Sequence, residues 1–386
     1  MLRRDFFKAL GFVPLASQFP NLAFAAAPQA NYQRLLVLIE LKGGNDGLNT
    51  VVPYADAAYY DLRPRLGVQR DAVLQLDEKF GLHPALQPLL AVWQSRELAL
   101  VHGVGYPQPN LSHFRSIEIW DTASPANEYL PDGWLTRAFA THPVPKVFAA
   151  DGVVIGSQEL GPLAGNGTRA IALANTEQFL HQAWLADDPG AKTRNAALAH
   201  ILKVESDVVQ AAAGLNSQYV FRTDFPKHPF GNAIKTAAQV VANKSSVAVV
   251  RVTHNGFDTH SAQPGTQQRL LKELAEGLLA FKTAMLELNR WNDTLIMTYG
   301  EFGRRAQENG SLGTDHGTAN VQFVLGGRVK GGFHGQAPDL QRLEGGNLVH
   351  SVDFRSLYAT AIEKWWGVNS RSALNGQFAP LDLLRA

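Results

Sequence analysis

Four short clusters in this chain set carboxylates beside glycine, two of them with imidazoles as well. They are Gly43-Gly44-Asn45-Asp46-Gly47-Leu48-Asn49, His254-Asn255-Gly256-Phe257-Asp258-Thr259-His260, Gly300-Glu301-Phe302-Gly303-Arg304-Arg305 and Gly313-Thr314-Asp315-His316-Gly317-Thr318. In the second, Asp258 and His260 set a carboxylate and an imidazole close enough to share one cation, the oxygen-and-nitrogen mixture that suits Zn, Mn or Fe. Asp315 and His316 repeat that pairing on a flexible backbone. Glu301 is bracketed by glycines, and Arg304 offers a guanidinium that can grip an anionic oxygen in a bidentate pair. Each cluster also has a plainer account: Asn-Asp-Gly is ordinary turn chemistry, and the Glu301–Arg304 stretch fits a solvated salt-bridge loop. Four such clusters in one chain point to a shared site.

The chain contains no cysteine, which excludes disulfides, thiolate zinc sites, iron–sulfur clusters and cysteine nucleophiles. A metal here must therefore sit on histidine and oxygen ligands, and a nucleophile must be serine, threonine, a carboxylate or water. Ser112, in Asn110-Leu111-Ser112-His113-Phe114-Arg115, stands where a helix N-cap is expected. It serves either as the cap alone or also as a nucleophile, because the positive end of the helix dipole favours an alkoxide and a bound anion. Coordination to a nearby metal would lower the hydroxyl pKa without a histidine base. Of the other histidines considered, His83 enters a helix, His142, His181, His200 and His228 fall in polar helices or loops, and His334 and His350 stand near glycine-rich loops without a place.

Each cluster borders an expected β-strand. The apolar runs 34–41, 98–104, 146–155, 169–174, 246–253, 294–299 and 321–325 read as strands. The segments 84–94, 112–122, 193–213, 231–242, 267–291 and 353–366 read as helices. Strands alternating with helices predict a three-layer α/β/α fold with a mostly parallel central sheet, in which ligands bind beyond the carboxyl ends of the strands. One domain over residues 32–386 is expected, with an Ala-rich helical insertion at about 183–244.

Lys plus Arg (35) nearly balance Asp plus Glu (34), for a net charge of +1. No global field therefore favours nucleic acid or an anionic membrane. At the N-terminus, Arg3-Arg4-Asp5-Phe6-Phe7-Lys8, a mildly apolar run and Ala25-Ala26-Ala27 form the three parts of a signal peptide over residues 1–27. The paired arginines resemble a twin-arginine signal, which implies the twin-arginine export machinery as a partner and a periplasmic or otherwise exported destination. Pro14, Gln18, Pro20 and Asn21 interrupt the run, so no stable membrane span is expected.

The order of the motifs resembles the alkaline phosphatase superfamily. More closely, GGNDGLN, SHF…W, FDTH, GEFGR and DHG, spread from Leu35 to about Trp366, resemble the DUF1501 family of exported bacterial proteins. The resemblance implies an alkaline phosphatase-like fold and one or two divalent ions (Zn, Mn, Mg or Ca). It implies metal ligands at Asp46, Asp258, His260, Glu301, Asp315 and His316, a nucleophile at Ser112, and Arg304 or Arg115 steadying the ester oxygens. The implied activity is hydrolysis of a small anionic phosphate or sulfate ester. Phe302 departs from the superfamily pattern, which has a second imidazole there. That departure leaves open a non-catalytic periplasmic binding or assembly protein that keeps the fold with a degenerate metal site.

Overall fold

A computed structural model describes residues 29–173, 219–243 and 246–385. The expected export signal in residues 1–27 lies outside the described residues, as do the expected helix 193–213 and residues 183–218 and 244 of the helical insertion. In chain order the first strands are β1 (Leu35–Lys42), β2 (Val51–Val52), β3 (Leu74–Gln75), β4 (Gly81–Leu82), β5 (Leu98–Gly105) and β6 (Ala150–Ile155). They are followed by β7 (Ala170–Leu173), β8 (Val247–Asn255), β9 (Thr294–Tyr299), β10 (Asn320–Leu325), β11 (Gly332–His334) and β12 (Val352–Asp353). Strands β2, β4 and β3 form a small separate sheet.

The main sheet runs β11-β5-β10-β9-β1-β8-β6-β7, with β12 also paired to β5. All its pairings are parallel except those of β10, which is antiparallel to both β5 and β9. Strand β1 is apolar on both faces because both faces are covered. Leu35, Val37, Ile39 and Leu41 join one core cluster, while Leu36 and Leu38 join the other. The helices Pro229–Val241 and Gln263–Glu287 pack in the first cluster, and His113–Thr122, Trp134–Thr141 and Phe354–Ala359 in the second. This is the expected α/β/α layering around a mostly parallel sheet.

Local chemistry explains the shifts from expectation. Strand β6 starts only at Ala150, because Pro145 accepts from Phe148 N at 2.9 Å and makes a turn of the preceding residues. The segment 84–94 splits into a 3₁₀ turn, Pro84–Leu89, and a short α-helix, Leu90–Gln94. Pro88 lies inside it and has no N–H to continue an α-helical ladder. The helix expected from residue 267 begins at Gln263 with Pro264 in its first turn, where a missing N–H costs nothing. No helix among the described residues is long and apolar enough to cross a membrane.

The strand directions do the positioning. Because β9, β1 and β8 are adjacent and parallel, Glu301, Asp46 and Asp258 all follow strand ends on the same edge of the sheet. Antiparallel β10 begins at that edge, and the Asp315-His316 loop leads into it; Asn320 pairs with Val104 near the end of β5. Strand β5 in turn feeds the loop to Ser112 and the helix His113–Thr122.

Candidate metal centre

Three imidazoles surround one carboxylate at this edge. The Nε2 atoms of His260, His316 and His113 lie 3.1 Å and 3.3 Å from Asp258 Oδ1 and 3.4 Å from Asp258 Oδ2, respectively. His260 Nε2 and His316 Nε2 are 2.9 Å apart. Ligand atoms from His113, Asp258 and His316 all lie within 4.8 Å of one another. Each ring is oriented from behind by an oxygen at its other nitrogen. Nδ1 contacts Glu301 Oε1 at 2.9 Å in His113, the Leu111 carbonyl at 2.8 Å in His316 and Asp315 Oδ1 at 3.2 Å in His260. A carbonyl or carboxylate only accepts, so in neutral rings Nδ1 carries the hydrogen and the Nε2 lone pairs face inward. This is how metal-binding histidines are held.

The loops that carry these side chains are tied together by Arg304, whose side chain is fully buried. Its Nε donates to Gly44 O at 2.7 Å and its Nη1 to Thr314 O at 2.9 Å. Its Nη2 donates to Gly43 O, to Phe257 O at 3.0 Å and to Asp258 Oδ1 at 2.7 Å. One guanidinium thus joins the loops after β1, β8 and β9 to the loop before β10. The close approach demands Gly43, which has φ +114° and would carry a Cβ only 2.3 Å from Asp258 N. The bridge Arg304↔His316 and the Arg305 N to Asp315 O bond at 3.0 Å set the last loop in register.

Electrostatics follow the same geometry. Burial alone would raise the Asp258 carboxyl, but the hydrogen bond and charge of Arg304, with His113 and His260, hold it below its usual range. The hydrogen bond to Glu301 raises His113 against burial, helped by the charges of Glu301 and Asp258. Burial lowers His316, favouring its neutral, ligand-competent form. Asp315 is lowered by its hydrogen bond from Asn309 and then by that to His260.

Several residues singled out in the sequence stand elsewhere. Asp46 caps the helix Gly47–Thr50, and its Oδ2 accepts from Arg63 Nη1 and Gln263 Nε2, both at 2.6 Å. Its carboxylate therefore faces a buried guanidinium rather than the histidines. Glu301 is nearly fully buried; its Oε1 accepts from Gly43 N and His113 Nδ1, the contacts of a positioning carboxylate, while its Oε2 has no partner. Asp315 likewise backs His260 from outside. Arg304 is committed to carbonyls and Asp258, which removes it from the expected ester contact. Arg115 also turns away: its Nη2 donates to Pro125 O at 3.2 Å, Ala126 O at 3.1 Å and Glu128 O, and its guanidinium lies 3.9 Å over the Tyr129 ring. Ser112 is the N-cap residue of His113–Thr122, but its hydroxyl makes no capping bond and the residue is exposed.

His113 is the candidate that sequence reasoning passed over, although it sits next to Ser112. The imidazole missing at position 302 is supplied from this other element. Phe302 instead packs its ring 4.9 Å from His113 and 4.4 Å from His316, giving the two ligands an apolar backing.

Among solved structures the chain is similar to a protein in the alkaline phosphatase superfamily from Vibrio parahaemolyticus, at 10% identity over 91% of this chain and 70% of that one, TM-score 0.41. It is also similar to the C-terminal periplasmic domain of EcEptC from Escherichia coli, a complex with Zn, at 8% identity over 78% and 77% of the two chains, TM-score 0.37. A third similarity is to the lipoteichoic acid synthase LtaP from Listeria monocytogenes, at 9% identity over 79% and 66%, TM-score 0.33. No curated protein matches the sequence. The family model "Protein of unknown function (DUF1501)" matches residues 74–373, a span that holds four of the five motifs; GGNDGLN, which ends at Asn49, lies ahead of it. By that match over most of its length, the chain belongs to the DUF1501 family.

Proposed function

We propose that this protein is an exported, metal-dependent hydrolase of small anionic phosphate or sulfate esters. The observation that carries the proposal is the convergence of three Nε2 atoms on Asp258, each ring set by an oxygen acceptor at Nδ1. The residues fit a divalent cation: His113, His260, His316 and Asp258 would hold it, with Glu301 and Asp315 behind them. Three nitrogens and one carboxylate suit Zn, Mn or Fe better than Mg or Ca, which take oxygen ligands. Such an ion supplies Lewis-acid polarisation of an ester oxygen and a lowered hydroxyl pKa. The chain's own contribution would be to present Ser112 at a helix N-terminus beside a ligand, where backbone N–H groups and the dipole favour an anion. The exposed side chains of Asp258 and His260 leave the centre open to solvent and substrate.

The test is turnover of a panel of aryl phosphate monoesters, phosphodiesters and sulfates by Zn- or Mn-loaded protein. His316→Ala and Ser112→Ala serve as comparisons. Turnover of one ester class, lost in both variants, is expected. Metal-loaded protein that turns over none of them refutes the hydrolase. The Ser112 hydroxyl makes no capping bond, which favours one second reading, an exported metal-binding assembly protein. That protein would keep its metal in Ser112→Ala and show no turnover at all. Export through the twin-arginine machinery is part of the proposal and rests on Arg3-Arg4 and the small-residue stretch at Ala25. Replacing both arginines by lysine should leave the protein in the cytoplasm.

A further inference from the structure

We infer that the centre takes one divalent cation, not two, and that the Arg63 guanidinium neutralises the carboxylate that a second ion would need. The inference rests on the proposal that His113, Asp258, His260 and His316 bind metal. The superfamily resemblance assigns a bridging carboxylate to the residue after the first strand, which here is Asp46. That carboxylate is closed off. Arg63 Nη1 reaches Asp46 Oδ2 at 2.6 Å, and both side chains are at most 1% exposed.

Arg63 is itself locked in place. It donates to Asn49 Oδ1 at 2.6 Å, Ala306 O at 2.9 Å and Arg305 O at 3.0 Å, so the guanidinium bridges the loop after the helix Ala57–Leu62 to the segment following Arg304. Gln263 Nε2 also donates to Asp46 Oδ2 at 2.6 Å, and its Oε1 accepts from Thr259 at 3.0 Å and Thr314 at 2.7 Å. A cation at Asp46 would have to displace a buried guanidinium and strand it without its counter-charge, which is among the costliest changes available to a folded chain.

The remaining donors do not make a second set. Phe302 places a hydrocarbon ring where the resemblance expects an imidazole, and His113, which takes that place from another element, is already counted in the first set. Two buried oxygens, Glu301 Oε2 and Asn45 Oδ1, have no hydrogen-bond partner. One is neutral, and the other belongs to a carboxylate whose partner oxygen is already shared by Gly43 N and His113 Nδ1. With Asp46 spent, they offer one carboxylate oxygen and one neutral amide oxygen, against the three imidazoles and one carboxylate of the first set.

The experiment is a count of bound ions. Metal-free full-length mature protein is titrated with Zn²⁺, and separately with Mn²⁺, under native mass spectrometry, with elemental analysis of the same samples after desalting. One ion per wild-type chain, absent from His316→Ala, is the expected result. Two ions per wild-type chain overturn the inference and leave the hydrolase proposal standing. No ion, or one that survives in His316→Ala, overturns the metal reading and this inference with it. As a second measurement, folded Arg63→Met frees Asp46 and is expected to take up a second, weaker ion. Arg63→Met that stays folded and still binds only one, with unchanged affinity, refutes the role given to Arg63.

Discussion

Glu301→Gln should weaken metal binding while leaving all four proposed ligands in place. In the wild type, Glu301 Oε1 accepts from His113 Nδ1 and Gly43 N, both at 2.9 Å, and Oε2 has no partner. A glutamine whose carbonyl kept both bonds would place its amide nitrogen where no acceptor waits, and the negative charge behind His113 would vanish. Loss of such an outer partner typically costs about 10–100-fold in metal affinity, which corresponds to roughly 1.4–2.7 kcal/mol. Because Glu301 is 2% exposed, its charge is poorly screened, and the upper part of that range is expected. Asp315→Asn provides the internal scale. Its bond to His260 is longer, 3.2 Å, and its side chain is 55% exposed, so solvent screens it and the loss should fall at the lower end. Competition with a chromophoric chelator at fixed pH and ionic strength reads both, with the melting temperature of each metal-free variant as a folding control. Unchanged affinity in folded Glu301→Gln, or a larger loss in Asp315→Asn, would refute the positioning role of Glu301.

Three further outcomes follow from neighbouring features. Arg115→Ala should lower stability by roughly 1–3 kcal/mol, as expected for stripping a buried donor from three carbonyls, with metal affinity unchanged; a selective loss of turnover or metal binding would return Arg115 to the site. Gly43→Ala should abolish metal binding, because φ +114° is unfavourable for alanine and the new Cβ would lie 2.3 Å from Asp258 N; chelator competition showing wild-type affinity would contradict this. Burial raises Asp121 to about 7, against the nearby charge of Arg251. The unfolded carboxyl titrates near ~3.9, so between those values folding takes up a proton, and this contribution is full below the lower value and lost as pH rises through the upper one. Melting temperatures of the wild type minus those of Asp121→Asn should accordingly fall from pH 4 to pH 8; a flat or rising difference refutes the assignment.

The layers of the fold were legible because each central strand carries its own signal. A run such as Leu35–Ile39, apolar at odd and even positions alike, requires cover on both faces, and the two core clusters supply it. Helix boundaries were less legible where proline or glycine shifted them. The helix Trp134–Thr141 went unnoticed because it starts at Gly133 with no side-chain cap. At the site, Asp258, His260 and His316 were readable as types at short spacing. The roles of Asp46 and Glu301 were not, because a carboxylate's role depends on its partner, and the partners Arg63 and His113 lie on other elements. Nothing in the run Leu62-Arg63-Pro64 marks that arginine as the counter-charge of a residue in the loop after β1.

His113 shows which signal was available and unused. A histidine directly after an N-cap serine, on a helix entered from a strand that ends at the same edge as β9, β1 and β8, can reach that edge whatever its sequence neighbours. The absence of an imidazole beside Glu301 was therefore weak evidence for a degenerate site, since adjacency in sequence is only one way to bring a ring to a carboxylate. In this chain the pair is made across the sheet edge, Glu301 Oε1 to His113 Nδ1, and Phe302 fills the place beside it with a ring that packs against two of the ligands. The exchange has a consequence for mechanism. With His113 as a ligand and Ser112 as the nucleophile, as proposed, the hydroxyl is coupled to the metal through a single backbone step. A shift of that helix would then move nucleophile and ligand together, and substitutions along Ile119 and Trp120, which anchor it in the core, should change metal affinity and turnover in parallel rather than separately.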